Sequence, residues 1–170
     1  MTNKTCPICN TTTCPPSGHS KSLLIVGEFP GRLELERGQP FATSPMFISA
    51  GKVFRKELER VGLSLFDFRV CNLWKHEPNK SEECFQDGYN SVLDEAKGKS
   101  AVLLVGSDVV ETFTGHKVMD VSGLQVDSSV LSAPIIYAMV NPALALHRGI
   151  GEVRLAIEKF AARLEKENLV

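Results

Sequence analysis

The chain is expected to fold as an α/β protein: one domain over residues 1–170, a three-layer α/β/α sandwich around a central four-stranded, mostly parallel sheet, with a cysteine-bearing loop at residues 1–21. Three observations predict it. Four short apolar runs, Leu23 to Val26, Phe68 to Leu73, Ala101 to Val105 and Pro134 to Val140, have the length and aliphatic character of strands buried on both faces. Segments of helical periodicity separate the runs, as in a parallel sheet with crossover helices. The runs lead into Glu28, Asn72, Ser107 and Asn141, so four polar residues gather at the carboxyl edge of the sheet, where such folds bind ligands.

At 170 residues the chain has length for one substantial core. Hydrophobic residues make up 43% of it, with no apolar run of bilayer length, so neither a membrane span nor a membrane partner is expected. The polar start leads straight into cysteines and has no signal-peptide pattern, which points to an intracellular protein, cytoplasmic or nucleoid-associated. Five cysteines in a reducing compartment suggest metal or cluster chemistry before disulfides. A net charge of −1 excludes a generally basic protein. Any nucleic-acid contact would use a local patch such as Lys52, Arg55, Lys56 and Arg60, or Lys75, Lys80 and Arg148. A monomer is expected.

In chain order, residues 5–21 (TCPICNTTTCPPSGHSK) have loop composition. Cys6-x2-Cys9 lets two thiolates grip one metal centre from a tight turn. Two ligand sets remain open: a local zinc set of Cys6, Cys9, Cys14 and His19, or Cys6 and Cys9 with ligands from elsewhere in the chain. After the first strand, Gly27 to Gly31 forms a Gly/Pro turn that can bring main-chain N–H groups, Gly31 among them, against a ligand. Residues 45–62 show helical periodicity, with Phe47, Ala50, Phe54, Leu58 and Val61 on one stripe and Gly62 as the stop. The second strand delivers Asn72, whose amide both donates and accepts. A helix over 82–97 turns Tyr89, Val92, Leu93 and Ala96 inward. After the third strand, Ser107 or Asp108 caps a helix start able to contact phosphate, and Gly115 ends that helix. Residues 118–131 carry no assignable element. The fourth strand leads into Asn141-Pro142-Ala143-Leu144-Ala145-Leu146-His147-Arg148, and a helix over 152–164 buries Val153, Ala156, Ile157, Phe160 and Leu164.

Three motifs carry a resemblance. Gly27-Glu28-Phe29-Pro30-Gly31, then Glu34, then Gly38-Gln39-Pro40-Phe41 resembles the first motif of the uracil-DNA glycosylase superfamily, in its iron–sulfur branch, family 4. The stretch from Asn72 through Lys75-His76-Glu77-Pro78-Asn79 to Cys84 resembles that branch's asparagine and cysteine motif, with His76 at a cysteine position. Asn141-Pro142-Ala143 is similar to the superfamily's second motif, with Asn141 where His is usual, an opening shared with the mismatch-specific branch. Phe29 stands where other branches place an Asp base.

The resemblance implies a DNA glycosylase that flips uracil or another deaminated or modified base out of DNA and hydrolyses its N-glycosidic bond. Glu28 and Glu34 would stabilise the cationic sugar and orient water, and Asn141 would hydrogen-bond the oxygen on which charge builds. Phe41 would stack on the base, with Phe29 and Asn72 completing its contacts. Gly31, Ser107, Leu144, Leu146, His147 and Arg148 would face DNA, the leucines as wedges in the gap a flipped nucleotide leaves. The resemblance also implies a structural [4Fe-4S] cluster on Cys6, Cys9, His76 and Cys84, with zinc on the local set as the alternative. A second reading is a non-catalytic binder of damaged or single-stranded DNA that keeps the pocket.

Overall fold

In the computed structural model, which describes residues 4–170, the first apolar run becomes β1 (Leu23–Gly27), with every residue buried. Residues 1–3 of the predicted amino-terminal loop lie outside the described residues. The other strands are β2 (Arg69–Asn72), β3 (Ala101–Val105) and β4 (Ile135–Met139). They pair in the order β2-β1-β3-β4, and every pairing is parallel. The register sets Gly27 beside Asn72 and Val105 beside Met139, so all four chains leave the sheet at one edge.

Among the described residues there are seven α-helices, α1 (Arg32–Arg37), α2 (Ala50–Arg60), α3 (Glu82–Ala96), α4 (Ser107–Thr114), α5 (Val118–Val121), α6 (Ala145–Arg148) and α7 (Gly151–Lys166), and two single 3-10 turns, Leu65–Asp67 and Pro142–Leu144. Ring contacts assign the layers. Phe160 of α7 packs on Phe68 and Tyr137, and Phe54 of α2 on Phe41, whereas Tyr89 of α3 stacks on Phe113 of α4 with planes 5° apart. The sheet is thus covered on both faces, as its uninterrupted apolar strands require.

Both sheet edges are sheathed. Ser17 and Val70 exchange two backbone hydrogen bonds along β2, and the 118–131 stretch, after one short helix, runs beside β4 with Val126 N–H donating to Ile136 O. Neither strand edge is left to pair with another chain.

Four local expectations are corrected. The 45–62 helix starts only at Ala50, because the Ser49 side chain accepts from Lys52 N–H and caps it there. Phe47, predicted on the buried stripe, is 53% exposed in the loop before it. The buried face instead holds Glu57, whose carboxylate accepts from Arg60 and Arg154. The N-cap of α4 is Gly106, not Ser107 or Asp108. The fourth is α1, which no periodicity announced: its six residues begin at Gly31 and end at Gly38, in the left-handed region at φ +63°.

Candidate active site and metal centre

The polar residue after β1 is held from two sides. One oxygen of Glu28 accepts from the Asp108 backbone N–H at the start of α4 (2.9 Å), the other from Asn141 Nδ2 (2.8 Å). Asn141 in turn accepts from Ala143 N–H at 2.9 Å, so its amide has one orientation. Gly106, at φ +106°, makes this possible, since a Cβ there would lie 2.3 Å from the Glu28 carboxyl carbon. The Asp108 N–H at the start of α4, a segment expected to meet phosphate, is turned on this carboxylate, with Ser107 exposed beside it.

Phe41 is clamped as firmly. Its N–H donates to Glu34 at 2.6 Å and its carbonyl accepts from Arg55 Nε at 2.9 Å. The other oxygen of Glu34 takes the Gly31 N–H at 2.7 Å. Burial pushes the Glu34 carboxyl up, partly offset by these two N–H donors. Phe41 itself sits at φ +51°, a conformation costly for a non-glycine residue and sustained only where the surroundings fix it. Gly51 supports it from α2, since a Cβ there would come within 2.8 Å of the Phe41 backbone.

Asn72 is 6% exposed, and its Nδ2 is buried without a hydrogen-bond partner among the described residues. Native proteins rarely leave such a donor unsatisfied without a use for it. Gly27, its neighbour in the sheet, must lack a Cβ, which would stand 2.4 Å from Asn72 Oδ1 and 3.5 Å from the Phe41 ring.

Glu28, Phe29, Gly31, Glu34, Phe41, Asn72 and Asn141 line a single pocket of about 230 Å³. That is smaller than the roughly 300–1,000 Å³ usual for drug-sized ligands. An aromatic face, a buried free amide donor and a fixed carboxylate suit a small planar heterocycle with polar edges.

The outer residues divide. Leu146, His147 and Arg148 are exposed beyond the pocket, whereas Leu144 is partly buried against the core. Of the basic residues, Arg55 is spent on Phe41, Arg60 on Glu57 and Glu158, and Lys75 on Asp87, which leaves Lys52, Lys56, Lys80 and Arg148 exposed. Sequence reasoning missed Gly106, Gly51 and Arg55 as supports of the site. Glycine just past a buried strand was the available signal for the first; nothing local announced the other two.

Cys6, Cys9, His76 and Cys84 form the second cluster, their ligand atoms all within 4.8 Å of one another. They can hold a metal. Cys6 Sγ lies 3.9 Å from Cys84 Sγ, and Cys9 Sγ 3.4 Å from His76 Nε2. The His76 Nδ1 is 2.7 Å from the Glu77 carbonyl, which only accepts, so Nδ1 carries the proton and Nε2 is free to ligate. Hydrogen bonds from the Thr11 side chain and backbone bring the Cys9 thiol down to about 6, toward the thiolate a metal needs.

The local zinc set does not assemble. Cys14 is buried outside the cluster with its N–H on the Lys75 carbonyl, and burial lifts its thiol to about 12; His19 is exposed. After a tight turn that pairs Thr5 with Thr12, the loop runs out along β2 through Ser17, so Cys14 and His19 stay outside the group formed by Cys6 and Cys9.

No helix among the described residues is long and apolar enough to cross a membrane. No curated protein matches the chain. The model of the uracil DNA glycosylase superfamily matches residues 15–164, nearly the whole sheet-and-helix body and every pocket residue described above. With the parallel four-stranded sheet and its polar edge, that match makes the chain a member of the uracil DNA glycosylase superfamily.

Proposed function

We propose that the protein is a DNA glycosylase that removes uracil or another deaminated or modified base by hydrolysing its N-glycosidic bond. The observation that carries this reading is the buried Nδ2 of Asn72, without a partner among the described residues, beside the clamped ring of Phe41. A flipped base would stack on Phe41 and receive the Asn72 donor on a ring carbonyl, the atom that gains charge as the bond to the sugar breaks. Glu28 would face the sugar, where its charge stabilises the oxocarbenium-like centre and its oxygens orient the attacking water.

Two residues of the resemblance take supporting roles in this reading. Asn141 donates to Glu28, so it acts as a positioning residue for the carboxylate. Glu34 bonds two backbone N–H groups and acts through the placement of Phe41. Leu146, His147 and Arg148, with the exposed Lys52 and Lys56 of α2, are the residues offered to the DNA. A metal on Cys6, Cys9, His76 and Cys84 would tie the amino-terminal loop to the segment after Asn72 and take no part in bond cleavage.

The test is base release from single- and double-stranded oligonucleotides carrying uracil and a panel of modified bases. Release by the native chain, falling at least a hundredfold in Glu28→Gln while oligonucleotide binding persists, is the expected result. Tight binding of modified strands with no base released from any of them would instead favour a non-catalytic binder.

A further inference from the structure

We propose that Cys6, Cys9, His76 and Cys84 hold a single tetrahedral ion, zinc by its ligand chemistry, in place of the four-iron cluster that the resemblance implies. The inference is independent of base excision and rests on the spacing of the ligand atoms. Four ligands on one zinc, with Zn–S about 2.3 Å and Zn–N about 2.05 Å at tetrahedral angles, stand roughly 3.8 Å apart for two sulfurs and roughly 3.6 Å for sulfur and nitrogen. The observed separations are 3.9 Å for Cys6 to Cys84 and 3.4 Å for Cys9 to His76, and no two of the ligand atoms exceed 4.8 Å. A cubane seats each thiolate outside its own iron at a corner of the cluster, so its ligands stand roughly 6 Å apart. The cage formed here is too small for it.

The loop is built for that spacing. In Cys6-Pro7-Ile8-Cys9-Asn10 the chain doubles back: Asn10 N–H donates to Cys6 O and Cys6 N–H to Thr11 O, both at 2.8 Å. Asn10 takes the left-handed conformation the turn needs, at φ +58°, which Asn tolerates better than most residues. Both sulfurs then converge on one point. His76 arrives with its tautomer fixed by Glu77, and Cys84 arrives from the first turn of α3, its N–H held by Ser81 Oγ at 3.2 Å. Three thiolates and one imidazole form a standard structural zinc set. Cys6, His76 and Cys84 are no more than 3% exposed, which closes the site to substrate and marks it as structural. Cys6 and Cys9 lie before residues 15–164, the span that matches the superfamily, whereas His76 and Cys84 lie within it.

The test is metal and sulfide analysis of the full chain, produced with iron and sulfur in excess and isolated without oxygen. One zinc per chain, no acid-labile sulfide and no absorption near 400 nm are expected, with X-ray absorption showing a sulfur shell near 2.3 Å and one nitrogen near 2.0 Å. Cys84→Ser should lose zinc at least tenfold more readily to a chelator, and Cys14→Ser should keep one zinc per chain. Should Cys84→Ser fail to fold, the native stoichiometry and spectrum still decide. About four irons and four sulfides per chain, or a single iron in place of zinc, would overturn the assignment.

Discussion

A methyl group added at Gly27 would stand 2.4 Å from Asn72 Oδ1, and one at Gly106 2.3 Å from the Glu28 carboxyl carbon. Each glycine therefore sets one functional side chain, and neither touches a flipped base itself. Gly27→Ala should push the Asn72 amide off its line to the base and lower kcat/KM for base release at least tenfold, about 1.4 kcal/mol of transition-state binding. The accompanying overpacking should cost about 1–3 kcal/mol of stability, read as a lower Tm. Asn72→Leu separates activity from stability in the opposite sense. It removes a buried donor that has no partner among the described residues, so Tm should hold or rise while base release falls about a hundredfold or more. A marked fall in Tm for that variant would mean that Asn72 serves the fold.

Between elements, Glu57 is the joint of α2 and α7. Its buried carboxylate accepts from Arg154 at 3.0 and 3.1 Å and from Arg60 at 2.8 Å. The Arg154 hydrogen bonds, ahead of the one from Arg60, hold the Glu57 carboxyl below the usual range, against the opposing push of burial. A depressed carboxyl stabilises the fold above its unfolded pKa of about 4.3 and loses that contribution as pH falls through its folded pKa. Denaturant titrations should therefore show native stability declining below about pH 4.5. Glu57→Gln should be less stable by about 2 kcal/mol at pH 7 and show a shallower decline. No sequence pattern exposed this joint, because a helical stripe read by hydrophobicity has no place for a buried Glu. The strands were legible because burial on both faces writes an uninterrupted apolar run. The edge residues Glu28, Asn72 and Asn141 followed from where those runs stop. The loop at 45–49 misled because Phe47 keeps helical spacing with Ala50 and Phe54, while the cap that starts the helix, Ser49, lies after it. The six residues of α1 are too few for any period to show. Whether Cys14 or His76 joins Cys6 and Cys9 was undecidable from spacing, since it depends on which way the amino-terminal loop runs along β2.

Across the whole molecule, the Cys6, Cys9, His76 and Cys84 cluster and the pocket are tied to one strand. From the cluster the amino-terminal loop runs along β2, with Cys14 N–H on the Lys75 carbonyl and Ser17 paired with Val70. The chain leaving β2 carries Asn72, then donates Leu73 N–H to Gly27 O and Trp74 N–H to Glu28 O, each at 2.8 Å, before it reaches His76. The pocket's amide wall is thus four residues from His76 of the cluster, and its carboxylate wall is bonded to the same segment. A metal present at a few hundred times its Kd adds about 3 kcal/mol to the folded state. For a chain of this length its removal should lower Tm by about 6–12 °C. Chelation should also raise amide hydrogen exchange first in residues 5–19 and 70–77, with the backbone of β3 and β4 still protected, because those strands lie on the far side of β1. Base release should fall in step with exchange at 70–77 and return on adding the metal back. Activity lost while that segment stays protected would place the metal in the chemistry itself, and unchanged exchange and Tm after complete metal loss would show that the loop is held by its hydrogen bonds alone.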